Sequence, residues 1–239
     1  MAREPSVRIG VIVPFDFALD REYWQFVPDD VTLHVTRTPF HEGPVGMELA
    51  LLVAEPDEAA VATRTLVAVD PDVVVYACTS GSFVRGAAAE RVLRQRILDA
   101  GATRAVTTSG ALLQALTALG AQRVALGTPY VAQLGERLEA FVTGAGFEVR
   151  SLANLDLEGG IAALSSDDVR RLARAAFVSD ADALFLSCTN LPTFGLLGGL
   201  SIELGLPVLS ANQVTMWAAL AAAGHRDAEA VLAPSRVRG

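Results

Sequence analysis

Apolar positions along this chain fall into short runs separated by longer stretches of helical spacing. Val7-Arg8-Ile9-Gly10-Val11-Ile12-Val13 is almost uninterrupted, rich in β-branched residues and stopped by Pro14, the pattern of a strand buried on both faces. Comparable runs at residues 31–35, 73–77, 105–107, 124–127, 147–152, 183–186 and 207–209 each predict a further strand. Between them, residues 56–69, 85–100, 109–119, 131–145, 166–178 and 212–223 read as helices. Strand and helix alternate, which predicts an α/β fold with parallel sheets covered by helices. Ser109 and Ser166 read as N-caps, and Gly120 and Gly224 as the left-handed residues that follow helix ends.

The order of elements repeats once. Two strands, a strand ending in Cys78-Thr79, a strand ending in Thr107-Thr108-Ser109 and a helix are followed by the same series, now with Cys188-Thr189 and Ser210. The landmarks are offset by roughly 100 to 115 residues, so the chain reads as two pseudo-symmetric, Rossmann-like halves. The expected division is residues 1–120 carrying Cys78 and residues 121–239 carrying Cys188, with exchange of a helix between halves left open. Ligands in such sheets collect beyond the carboxyl ends of strands. Both cysteines stand there, so the two thiols are expected to face one interfacial cleft from opposite sides.

Charge and composition remove whole classes of function. The net charge of -8 opposes binding to polyanions, and the nineteen cationic residues, all arginine, form no dense cluster, so no nucleic-acid partner is expected. Without a lysine there is no internal pyridoxal Schiff base and no lysine-bearing phosphate loop. His34, His41 and His225 stand in no metal-binding or hydrolase spacing, so no metal and no cofactor is expected; His34 and His41 read as surface or packing residues. Gly195-Leu196-Leu197-Gly198-Gly199 departs from the dinucleotide pattern and reads as a flexible lid or loop. No apolar stretch reaches a spanning length, so no membrane association is expected, and the protein is placed in the cytoplasm. Two cysteines so far apart are expected to be reduced thiols.

Chemistry concentrates at the two strand ends. In Cys78-Thr79-Ser80-Gly81-Ser82, hydroxyls and a glycine follow the thiol, so backbone N–H groups can favour a thiolate while Thr79 and Ser80 donate to a carboxylate. Ser187-Cys188-Thr189-Asn190 repeats the design and adds an amide. Either segment alone also fits a buried structural cysteine before a helix cap; matching placement of both argues for a site. Asp16 and Asp20 fit either the cleft entrance or the start of a helix whose dipole they complement, and Tyr23, Trp24 and Phe26 fit either a substrate pocket or, more simply, a hydrophobic helix face.

This pair of strand-Cys-Thr motifs resembles the aspartate/glutamate racemase superfamily over nearly the whole chain. Cys78-Thr79-Ser80-Gly81-Ser82-Phe83 with Arg85-Gly86 is similar to the arylmalonate decarboxylase segment. Ser210-Ala211-Asn212-Gln213 through Trp217 resembles that of maleate cis-trans isomerases. The resemblance implies that Cys78 is the attacking or proton-abstracting thiolate and Cys188 the opposing acid. It also implies that Tyr130 hydrogen-bonds a substrate carboxylate and that Thr79 and Ser80 hold the developing enediolate, although Tyr130 alone also fits a cap on the strand-to-helix turn behind Pro129. Backbone N–H groups at Thr189 and Asn190 are expected to complete the substrate site, with Pro14 at the end of the first strand beside them. Decarboxylases of the branch carry glycine where Cys78 stands. The maleate isomerases follow their first strand with Pro-Ser-Ser-Asn, where this chain has Pro14-Phe15-Asp16-Phe17, and Asp16 would repel a second carboxylate unless it is protonated or turned away.

The implied function is a cofactor-independent isomerase or racemase of a small carboxylate or dicarboxylate, of the maleate isomerase or Asp/Glu racemase type. The alternatives are an arylmalonate-type decarboxylase protonating an enediolate through Cys188, and a non-catalytic carboxylate-binding protein. Homo-oligomerisation is left open.

Overall fold

A computed structural model describes residues 7–232. Strands β1 (Val7–Val13), β2 (Val31–Arg37), β3 (Val73–Tyr76) and β4 (Ala105–Thr107) form one sheet in the order β2-β1-β3-β4. Strands β5 (Arg123–Thr128), β6 (Glu148–Asn154), β7 (Ala183–Leu186) and β8 (Val208–Ser210) form a second, in the equivalent order β6-β5-β7-β8. Every pairing in both sheets is parallel. β3 and β7 lie between two neighbours and bury every residue, which explains their unbroken apolar runs. The edge strands β2 and β6 are partly exposed and correspondingly mixed in composition.

The helices are α1 (Asp20–Phe26), α2 (Met47–Val53), α3 (Pro56–Leu66), α4 (Thr79–Phe83), α5 (Ala87–Asp99) and α6 (Thr108–Ala118) in the first part of the chain. α7 (Ala132–Gly144), α8 (Ser166–Ala176), α9 (Leu197–Leu204), α10 (Ala211–Ala222) and α11 (Ala228–Leu232) come after β5. Helix α10 leaves β8 of the second sheet and packs on α6, β3 and β4 of the first. Its residues from Ala211 to Leu220 are all buried, and one apolar core runs from Val7 through Leu232 across both sheets. None of the helices among the described residues is long and apolar enough to cross a membrane.

Two caps sit before the serines read from sequence. The side chain of Thr107, not Ser109, accepts from Gly110 N to cap α6, and Ser165, not Ser166, caps α8 in a reciprocal box with Asp168. Strand β4 ends right at the helix, so the strand's own last residue has the extended backbone a cap requires. Gly120 (φ 67°) and Gly224 (φ 73°) come after their helices in left-handed conformation, as read. The Gly195–Gly199 segment is not a lid: Leu197 opens helix α9, whose Leu197, Gly198 and Leu200 are buried. Glycine frequency suggested mobility there; tertiary burial of the leucines overrides it.

Strand register fixes where the ends meet. Ile12 pairs with Tyr76, and Ala77 N donates to Ile12 O at 2.8 Å, which sets Pro14 beside Cys78. Gly127 pairs with Leu186, and Ser187 N donates to Gly127 O at 2.8 Å, which sets Pro129-Tyr130 beside Cys188. In each sheet the chain winds outward in opposite directions from this strand pair, the switch point at which a crevice opens.

Candidate active site

Pro14, Cys78, Thr79, Ser80, Tyr130, Cys188, Thr189 and Asn190 all line one cavity. Phe15, Asp16, Val45, Leu49, Val53, Leu134 and Ile161 complete most of its wall. The cavity opens into an outer chamber bordered by Gly43, Val45, Glu158, Gly159, Gly160 and Ile161. Val45 N donates to Glu158 O at 2.9 Å, so loops from the two parts of the chain meet over the site.

Cys78 is buried and precedes the first turn of α4 with extended backbone. Its sulfur lies 3.8 Å from Ser80 Oγ and faces the N–H of Gly81. A side chain at Gly81 would overlap the Tyr76 hydroxyl and bring Cβ within 3.2 Å of the Cys78 sulfur, so only glycine lets this turn close around the thiol. The Thr79 hydroxyl is buried and has no hydrogen-bond partner among the described residues, in a residue that lines the cavity. Such a donor is ready for a ligand oxygen. Behind it, Thr79 O accepts from Ser82 Oγ at 2.8 Å and Ser109 Oγ at 3.2 Å, which ties the turn to α6.

Cys188 has φ 90°, a left-handed conformation that costs a side-chain-bearing residue about 1–3 kcal/mol and persists only where the surroundings enforce it. Enforcement comes from the first half of the chain. Glu22 of α1 is buried and accepts from Thr193 Oγ1 at 2.7 Å, Thr193 N at 3.1 Å and Asn212 Nδ2 at 3.1 Å. Asn212 Nδ2 also donates to Thr189 O at 2.9 Å. The side chain of Asn190 accepts from Ala18 N at 2.9 Å and donates to Asp16 O at 3.2 Å. Its amide thus joins two segments of backbone, and Asn190 turns its N–H to the Cys188 sulfur.

Both thiols are neutral in the resting protein. Burial pushes Cys78 up to about 11, against the Gly81 N–H and Ser80, and pushes Cys188 up to about 12, against the Asn190 N–H and Tyr130. The thiolate expected from backbone donors alone does not form at rest, because desolvation outweighs them. Each cysteine also feels Asp16, and Cys188 feels Cys78. The Tyr130 hydroxyl and Cys188 act on one another, and the pKa of Tyr130 is raised well above 10, chiefly by burial.

Two contributors stand out from the structure, one ranked second from sequence and one not read there. Tyr23, read as part of an apolar face, is fully buried against Phe17 with rings 4.9 Å apart, and its hydroxyl lies near Thr189 within electrostatic reach of both thiols. Glu22 had no signal beyond its position in the first turn of a helix. The histidines stay outside the site: His41 pairs with Glu58 at 3.1 Å and His225 with Asp30 at 3.2 Å, and His34 does not line the cavity. Asp20 is held by Arg37 at 3.1 Å, whereas Asp16 does line the cavity.

The sequence model of the arylmalonate decarboxylase family matches residues 54–234, a stretch that contains both cysteines and Tyr130. The chain belongs to the arylmalonate decarboxylase family. Two relatives of this family member stand on different branches. The maleate isomerase of Nocardia farcinica is 34% identical over 149 residues, covering 59% of each chain. The arylmalonate decarboxylase of Bordetella bronchiseptica is 34% identical over 150 residues, covering 61% of this chain and 62% of the relative. In both, the matched segment is less than two thirds of the relative's length. Among solved structures, a cysteine-to-serine variant of the N. farcinica maleate cis-trans isomerase with a covalently bound succinylcysteine intermediate superposes with a TM-score of 0.83 at 25% identity. That similarity covers 92% of this family member and 93% of the isomerase chain.

Proposed function

We propose that this protein is a cofactor-independent isomerase of a small carboxylate, of the maleate cis-trans isomerase type, with Cys78 and Cys188 as its reacting pair. The observation that carries the reading is that the two thiols line one cavity from equivalent strand ends. In the proposed reaction the Cys78 thiol first gives its proton to solvent, and the thiolate adds to the alkene carbon. The π electron pair moves toward the carboxylate to give an enediolate, which Thr79, Ser80 and adjacent N–H groups stabilise more strongly than the ground state. The former double bond is now single and rotates. Cys188 gives its proton to the enediolate carbon, which yields the saturated thioether adduct, and takes a proton back from that carbon as the alkene reforms and the Cys78 thiolate leaves. The succinylcysteine adduct in the N. farcinica relative is the kind of intermediate this sequence of steps requires. A racemase would use the same pair to remove and return an α-proton.

A decarboxylase reading is favoured by one feature. Cys188, held protonated, is an acid suited to protonating an enediolate by itself, and the cavity wall is largely apolar. That reading leaves Cys78 without work. Two reduced thiols acting on a free small carboxylate also support a place in the cytoplasm.

Turnover of Cys78→Ala and Cys188→Ala decides between them, measured on cis-alkene monocarboxylates and dicarboxylates, amino acids and arylmalonates, with solvent deuterium uptake and carbon dioxide release monitored together. Both variants should be inactive as isomerases while keeping their fold. Full turnover of an arylmalonate by Cys78→Ala, with carbon dioxide released, would overturn the reading in favour of decarboxylation.

A further inference from the structure

The two ends of the cavity differ in chemistry. Thr79, Ser80, Tyr130 and Thr189 line only the inner chamber, where the hydroxyl donors gather around the thiols. The wall leading outward is apolar, formed by Phe15, Val45, Leu49 and Ile161. At the junction stand Asp16 and Asn190, which border both chambers; the Asn190 amide is already bonded to Ala18 N and Asp16 O, which leaves the Asp16 carboxylate as the charged group there, and Glu158 borders the outer chamber. Among the described residues no arginine or histidine lines either chamber.

A nearby cation does not cancel Asp16. Arg37 is the basic group that acts on it, but the Arg37 guanidinium is committed to Phe17 O at 2.7 Å and to the Asp20 carboxylate at 3.1 Å. Asp16 is an exposed residue, and the limited desolvation of its carboxyl raises it above its ordinary value. The same carboxyl acts on Cys78 and Cys188, so its field reaches the reacting atoms. A molecule with one carboxylate among the inner hydroxyls must present its other end toward this acid.

We infer that Asp16 sets specificity at the far end of the substrate: the site takes a small monocarboxylate whose other end carries a hydrogen-bond donor, an amide or an ammonium, and discriminates against a second carboxylate. A donor group there meets an acceptor whose neighbouring cation is committed elsewhere, whereas a second carboxylate meets like charge. This rests on the proposed reading of the inner chamber as a carboxylate site.

The test compares maleate with its monoamide, maleamate, which differ only at that end. Binding is measured by calorimetry at about pH 8, where carboxylates are ionised, on protein carrying Cys78→Ala so that neither alkene reacts. The same protein with Asp16→Asn added is measured in parallel. Maleamate should bind at least about tenfold more tightly than maleate, and Asp16→Asn should shrink that ratio about tenfold, mainly by tightening maleate. Equal affinities, a ratio unchanged by Asp16→Asn, or binding of neither ligand would overturn the inference. Turnover by the unmodified protein separates the two claims. Discriminating binding without isomerisation of either alkene sinks the isomerase reading and supports the role of Asp16; equal turnover of both alkenes does the reverse.

Discussion

The carboxylate of Glu22 accepts a hydrogen bond from Thr193 Oγ1 at 2.7 Å, joining a helix of the first half to the loop after Cys188. Three donors converge on Glu22, two from Thr193 and one from Asn212. Truncation to alanine strands them in the interior. We expect Glu22→Ala to lose roughly 2–4 kcal/mol of stability, and Glu22→Gln less because an acceptor oxygen remains. The urea midpoint measures the loss. Because the Cys188 loop is held in a left-handed conformation from here, turnover should fall in both variants. Wild-type stability in Glu22→Ala would show that the network is dispensable.

Tyr130 provides a more local test. Its ring is buried and its hydroxyl acts on the half-buried Cys188 across the cavity they both line. Tyr130→Phe removes that hydroxyl and keeps the ring that packs against Phe83 at 6.2 Å. Turnover should drop roughly a hundredfold to a thousandfold, the usual effect of losing a donor to developing charge, with the melting temperature little changed. Unchanged turnover would remove the hydroxyl from the reaction.

The thiols predict a pH dependence. With Cys78 pushed up to about 11, only about one protein in ten thousand carries its thiolate at neutral pH. Alkylation by iodoacetamide and kcat/KM should therefore both rise about tenfold per pH unit from about pH 7 to about pH 10. A flat profile over that range would contradict a resting neutral thiol.

Stability should move the other way. Unfolded thiols ionise near 9.0 while the folded ones hold their protons to about 11 and about 12. The folded state thus binds more protons in that window. The thiols' contribution is fully present below about pH 9 and is lost as pH rises through the folded values. Urea midpoints above pH 9 should fall less in Cys78→Ala and Cys188→Ala than in the parent.

The sequence by itself determined the eight strands and the placement of Cys78 and Cys188 at the ends of two of them. A strand buried on both faces writes itself as a short β-branched run, and the residues directly after it lie at its carboxyl end in any parallel sheet. The repeated element order likewise implied two similar sheets and a crevice between them. Only the tertiary structure decided the rest. The short α1, α2 and α4 leave little periodicity to read, and α9 looked like a glycine loop because its leucines show their purpose only once buried. That Glu22 anchors Thr193 across 171 positions, and that the Asn190 amide serves Ala18 rather than standing free, are non-local pairings with no sequence spacing to announce them. The charge state of the thiols was decided there as well. Donor groups can be counted along a chain, but desolvation depends on the atoms that surround the sulfur in three dimensions, and here desolvation is the larger effect.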